Sequence, residues 1–128
     1  MVSKLRATRI AERIREELSE ILITQVNDPR LAGISVTDVN VDRELGYANI
    51  YVSALEGTPR AKEVLDGLGH AQGYLRSELA HRIKLRAFPR LRFHWDPTFE
   101  RAERIEQLIA SLHTVESPTS QEETSQDG

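Results

Sequence analysis

Six basic residues, Arg76, Arg82, Lys84, Arg86, Arg90 and Arg92, crowd a stretch in which Glu78 is the one acid. A second cluster, Lys4, Arg6, Arg9, Arg13 and Arg15, opens the chain against Glu12 alone. Together they hold eleven of the 17 basic residues, and just three of those 17, Lys4, Lys62 and Lys84, are lysine. Arginine in such number suits forked hydrogen bonding to phosphate oxygens, and a GC-rich genome accounts for the bias equally well. Solvated faces usually mix signs, whereas one-signed patches are the electrostatic footprint of a nucleic-acid binder. Between the clusters runs Gly67-Leu68-Gly69-His70-Ala71-Gln72-Gly73. Small residues there let a phosphodiester backbone come close, and amides at the start of a helix attract an anion. A kink that serves only to pack two helices on a sheet accounts for the same residues equally well.

Covalent chemistry has no comparable support. With no cysteine, disulfides, thiolate zinc sites and cysteine nucleophiles are excluded. His70, His81, His94 and His113 lack metal-ligand spacing, so no metal and no cofactor is expected. There is no G-x-S-x-G and no G-x-x-x-x-G-K, and Glu16 and Glu17 are helix neighbours that point apart. The Gly67 to Gly73 run has one residue too many for a dinucleotide fingerprint and follows a helical pattern where a strand is required. The expected function is therefore binding, not catalysis.

The formal net charge of −3 and the pI near 5.8 conceal this basic character. From Thr114 onward the chain carries four acids and no Lys or Arg, so the rest is +1. That tail, 114–128, is rich in Ser, Thr, Glu and Gln and is expected to be disordered, leaving a folded domain over 1–113. A chain of 128 residues can bury a modest core unaided. No run approaches the ~18 apolar residues of a membrane span, and a cytoplasmic setting is expected.

Regular elements must position these residues. Ile10, Ile14, Leu18, Ile21 and Leu22 recur at helical spacing within about Ser3 to Gln25, with Arg6, Arg9 and Arg13 on a neighbouring face. Asn27-Asp28-Pro29-Arg30 ends that helix. Ile34 to Val41 alternates but changes parity, which predicts a bulge near Thr37-Asp38. Tyr47 to Ala54 alternates again and completes a hairpin, with Ala48, Ile50, Val52 and Ala54 on one face and Tyr47 and Tyr51 on the other. Those tyrosines pack across strands or stack on bases. Thr58 caps the next helix with Pro59 at its first position, and Val64, Leu65 and Leu68 face inward. Three glycines, each costing about 1 kcal/mol in a continuous helix, predict a break near 69–73. A second helix then buries Leu75, Leu79 and Ile83. Leu91, Phe93 and Trp95 read as core positions of a third strand, and Ala102, Ile105, Leu108, Ile109 and Leu112 as the buried side of a last helix.

In order and spacing the chain resembles the ribosome-binding factor A family of bacterial small-subunit maturation factors, from about Arg6 to Ile109. The resemblance rests on the helix Arg13 to Glu20 and on Asp28-Pro29-Arg30. It continues through Val39 to Ser53 with its Leu-Gly-Tyr-Ala core, and through Ala71-Gln72-Gly73 followed by Tyr-Leu-Arg. It ends with Lys84-Leu85-Arg86, Pro89, Leu91, Phe93 and Asp96. It implies an α+β fold of the type II KH-like kind, in the order α-β-β-α-kink-α-β with a C-terminal helix. It also implies a monomer that binds 16S rRNA in the free 30S subunit and assists late maturation, including processing of the 5′ end, without being an enzyme. The RNA-facing surface would comprise Arg6, Arg9 and Arg13, the kink Ala71, Gln72 and Gly73, then Arg76, Arg82, Lys84, Arg86, Arg90 and Arg92. The contrasting expectation is a protein-interaction module whose basic face meets an acidic partner.

Overall fold

Ser3 starts the first helix because its hydroxyl accepts the Arg6 amide at 3.1 Å, satisfying one of the donors that a helix leaves unpaired at its beginning. In the computed structural model, which describes residues 1–116, helix α1 spans Lys4–Thr24 and ends where the Gln25 amide closes on the Ile21 carbonyl. Its buried face is the expected one, extended by Ala7 and Ala11. The Asp28 carboxylate accepts the Arg30 amide at 2.9 Å and opens a 3-10 turn at Pro29–Leu31.

Strands β1 (Ile34–Val41) and β2 (Tyr47–Ala54) pair antiparallel. The register slips between Val36 and Asp38, as the change of parity predicts, so Val36 below the slip and Val39 and Val41 above it all face the core. The displaced Thr37 donates its hydroxyl to the Asp96 carboxylate at 2.6 Å. Between the strands, the Asp42 carboxylate accepts the Tyr47 amide at 2.8 Å, and Leu45 takes φ 59° to complete the turn.

Strand β3 (Arg90–Trp95) lies parallel to β2, giving the order β1-β2-β3. Parallel neighbours need a long crossover, and helix α2 (Ala61–Arg82) supplies it. It is entered through a 3-10 turn at Thr58–Arg60, with Gly57 at φ 88°. Val64, Leu68, Leu75, Leu79 and Ile83 meet α1 and the apolar sheet face of Ala48, Ile50, Val52 and Leu91. Phe93 and Trp95 are half-buried at the margin of this core instead of inside it.

The expected helix break is also corrected. No break divides α2: it is helical without interruption from Ala61 to Arg82. The glycine penalties are outweighed by burial of Val64, Leu68, Leu75 and Leu79, each worth roughly 1.5–3 kcal/mol. Gly67 also has a packing reason to be glycine, since an added Cβ would stand 2.9 Å from Leu31 Cδ2 and 3.3 Å from Arg30 Cβ.

Residues 1–96 form one compact unit, and a second begins at Pro97 with helix α3 (Thr98–Glu116). The stripe expected to be buried on α3 is exposed at Ile105, Leu108, Ile109 and Leu112. Helix α3 runs three residues beyond His113, and the rest of the predicted disordered tail, 117–128, lies outside the described residues.

Candidate nucleic-acid interface

Arg6, Arg9 and Arg13 occupy an exposed stripe of α1, spanning two turns or about 10 Å. The last of them reaches across to α2: Arg13 Nη2 donates to the main-chain carbonyl of Arg82 at 3.2 Å. That carbonyl is one of those a helix end leaves unpaired, and a cation there also suits the negative end of the helix dipole. The α1 stripe is thus joined to the end of α2, and Lys84 and Arg86 follow within the exposed connector. Two clusters separated by most of the chain meet at the α1–α2 junction, where Glu17 also pairs with Arg13 at 3.5 Å. Among the described residues, no carboxylate pairs with Arg6, Arg9, Lys84, Arg86 or Arg90.

Two of the expected contacts have work inside the protein. Arg82 Nη1 binds Glu17 Oε1 at 2.9 Å and Glu20 Oε1 at 2.7 Å, so its guanidinium clamps α2 to α1. Glu17 first, then Glu20, raises its pKa further above an already high ordinary value. Arg76 donates from Nε to the Pro89 carbonyl at 3.0 Å and from Nη2 to the Phe88 carbonyl. It tethers the connector that carries Lys84 and Arg86 and sets the start of β3. These pairings run between residues far apart in sequence, and no local pattern announces them.

Ala71, Gln72 and Gly73 sit in the middle of α2, where the amides serve the helix itself. They offer no helix beginning to a phosphate. What remains of that idea is close approach. A Cβ added at Gly69 or Gly73 would meet nothing within 4 Å, so α2 presents bare backbone at two positions one turn apart. Gly69, Leu65 and Gln72 form one wall of a groove of about 400 Å³ whose other wall is Leu91 to His94 of the edge strand β3. Gln72 Nε2 donates to the Leu91 carbonyl at 2.8 Å and fixes the groove's width.

Arg90 and Arg92 lie on the sheet face turned away from the helices. The Arg92 guanidinium stands 3.5 Å over the centroid of the Tyr47 ring. Sequence reading passed over His94, whose ring stacks on Tyr51 with centroids 4.9 Å apart. Its signal is the parity it shares with Arg90 and Arg92, legible once the β2–β3 register is known. Among the described residues no group of three or more His, Asp or Glu side chains is placed to hold a metal ion. None of their helices is long and apolar enough to cross a membrane.

Residues 6–109 match the family model for ribosome-binding factor A. A protein of that name from Chromohalobacter salexigens is 43% identical over 106 residues, covering 81% of each chain. The crystal structure of ribosome-binding factor A from Thermus thermophilus superposes with a TM-score of 0.63 at 26% identity, over 70% of this chain and 93% of that one. A Thermus thermophilus coordinate set fitted into an electron cryomicroscopy map of a complex with the 30S subunit gives a TM-score of 0.58 at 26% identity, over 68% and 91%. The likeness to these structures establishes the KH-like character of the fold.

Proposed function

Since the chain belongs to the ribosome-binding factor A family, we propose that it binds 16S rRNA in the free 30S subunit and assists its late maturation, including processing of the 5′ end. It acts as a cytoplasmic monomer, without catalysis of its own. The observation that supports this is the contact between Arg13 and the Arg82 carbonyl, because it brings the two basic clusters of the chain together at one junction of α1 and α2. Arg6, Arg9, Lys84 and Arg86 neutralise phosphates, and the groove beside Gly69 and Gln72 admits an extended backbone. Arg76 and Arg82 hold that surface in shape. Support for the choice of subunit comes from the related Thermus thermophilus protein, a homology model of which was fitted into a map of its complex with 30S.

The test is co-sedimentation with free small subunits, with joined ribosomes and with nuclease-treated subunits at several salt concentrations. Association with free small subunits alone, falling with salt by a log–log slope of about 0.7 to 0.9 per neutralised phosphate, is the expected result. Association that survives nuclease and salt would instead indicate a protein partner for the basic face.

A further inference from the structure

Alternation along the strands puts Tyr47, Asn49 and Tyr51 of β2 beside Arg90, Arg92 and His94 of β3, on the sheet face opposite the one that packs against α1 and α2. Every one of these side chains is polar or aromatic. Four of them are planar groups laid on one another in pairs across the strands: His94 on Tyr51, tilted by 26°, and Arg92 on Tyr47. The His94 ring is held in orientation by a 2.9 Å hydrogen bond between Nε2 and Asn49 Oδ1. Arg92 is exposed while Tyr47 beneath it is half-buried, so the guanidinium is the outer layer of its stack.

We propose that this face is a second RNA-contact surface, on which unpaired bases stack against Arg92 over Tyr47 and against His94 over Tyr51. The inference rests on the RNA-binding function proposed above and assigns to it a surface distinct from the basic surface of α1 and α2. Tyr47 and Tyr51 are four residues apart on one strand, about 13 Å, so each stack takes its own base. Exposed Arg90, in register with Tyr47, supplies charge for the phosphates that join them. The acids bordering this face are engaged within the fold: Asp38, in register with Tyr51, accepts the Val39 amide at 2.9 Å, Asp42 accepts the Tyr47 amide at 2.8 Å, and Asp96, two residues beyond His94, accepts the Thr37 hydroxyl at 2.6 Å. The face carries planar polar groups where a protein-docking patch would be apolar at its centre. Duplex RNA hides the faces of its bases, whereas single strands offer them to aromatic rings and guanidinium planes.

A short unstructured RNA oligonucleotide titrated into the full chain tests this, read by the ring-proton signals of Tyr47, Tyr51 and His94. Shifts at all three rings are expected. Replacing His94→Val should weaken oligonucleotide binding by about tenfold, the scale of one lost stacking partner, and His94→Phe should restore it. Unmoved ring signals in the wild-type protein, or equal affinity in folded His94→Val, overturns the proposal. Co-sedimentation of wild-type protein with small subunits separates the two ideas: if it persists while the rings stay silent, only the second surface is lost.

Discussion

The Arg13 guanidinium and the Arg82 carbonyl meet at 3.2 Å, so a side chain from the middle of α1 closes the end of α2. The Arg82 side chain returns the contact by binding Glu17 and Glu20 of α1. The two helices are therefore locked where the two basic clusters meet. Residues that hold the basic surface can be separated experimentally from residues that present it.

Arg6, Arg9, Lys84 and Arg86 belong to the second group. Changing all four to Gln should leave stability within about 0.5 kcal/mol per site, since they are exposed surface positions. The salt slope of small-subunit association should become shallower by about 3, one lost phosphate contact per residue. Co-sedimentation across a salt series reads this directly, and an unchanged slope would remove these four from the interface.

Arg76 belongs to the first group. Arg76→Gln should cost about 1–2 kcal/mol by releasing the Phe88 and Pro89 carbonyls. Urea unfolding measures the loss, and hydrogen exchange should speed up in the connector at residues 84–89. A variant as stable as wild type, with unaltered exchange there, would show that the tether is dispensable.

The three glycines of α2 should behave differently from one another. Gly67→Ala forces a Cβ within 2.9 Å of the buried Leu31 side chain and is expected to destabilise by about 1–3 kcal/mol. Gly69→Ala and Gly73→Ala meet open space and should each stabilise by about 0.5–1 kcal/mol. Gly69→Leu should also put a side chain at the groove beside β3 and weaken RNA binding in a protein that is no less stable than wild type. Thermal unfolding of the set, with co-sedimentation of Gly69→Leu, decides both points.

Those glycines also show where the sequence stops being informative. The bounds and buried face of α1 follow from its apolar spacing and from Ser3. The bulge at Thr37 follows from a change of parity between Val36 and Val39. Both are local, and local pattern suffices. Whether α2 runs through Gly67, Gly69 and Gly73 depends instead on what Leu68 and Leu75 bury against, which belongs to tertiary structure. The site divides in the same way. Basic clusters are visible in the sequence, but the pairing of Arg82 with Glu17 and Glu20 and the hold of Arg76 on Phe88 and Pro89 require the fold. The exposed stripe on α3 shows that periodicity specifies a helix and an apolar side without saying that the side is covered.

Acid should loosen the turn before β1. The Arg30 guanidinium, and after it the Arg30 amide, holds the Asp28 carboxyl below its ordinary value of 3.8. The folded state thus binds this proton less readily than the unfolded state. Its contribution is fully present above pH 3.8 and is lost as pH falls through the lower folded value. Asp66, held down by Lys62, acts in the same direction. Asp28→Asn should lower stability at neutral pH and flatten the acid limb of a stability–pH curve, and an unaltered acid limb would show that Asp28 contributes nothing to it.

The parallel pairing of β2 with β3 fixes an order of assembly. β1 and β2 are joined by a short turn braced by Asp42, so their ladder closes a small loop and forms early. β3 cannot dock until the whole of α2 and its connector have been made. During synthesis the hairpin therefore waits with the far edge of β2 unpaired, a template for wrong partners until Arg90 to Trp95 leave the ribosome and cover it.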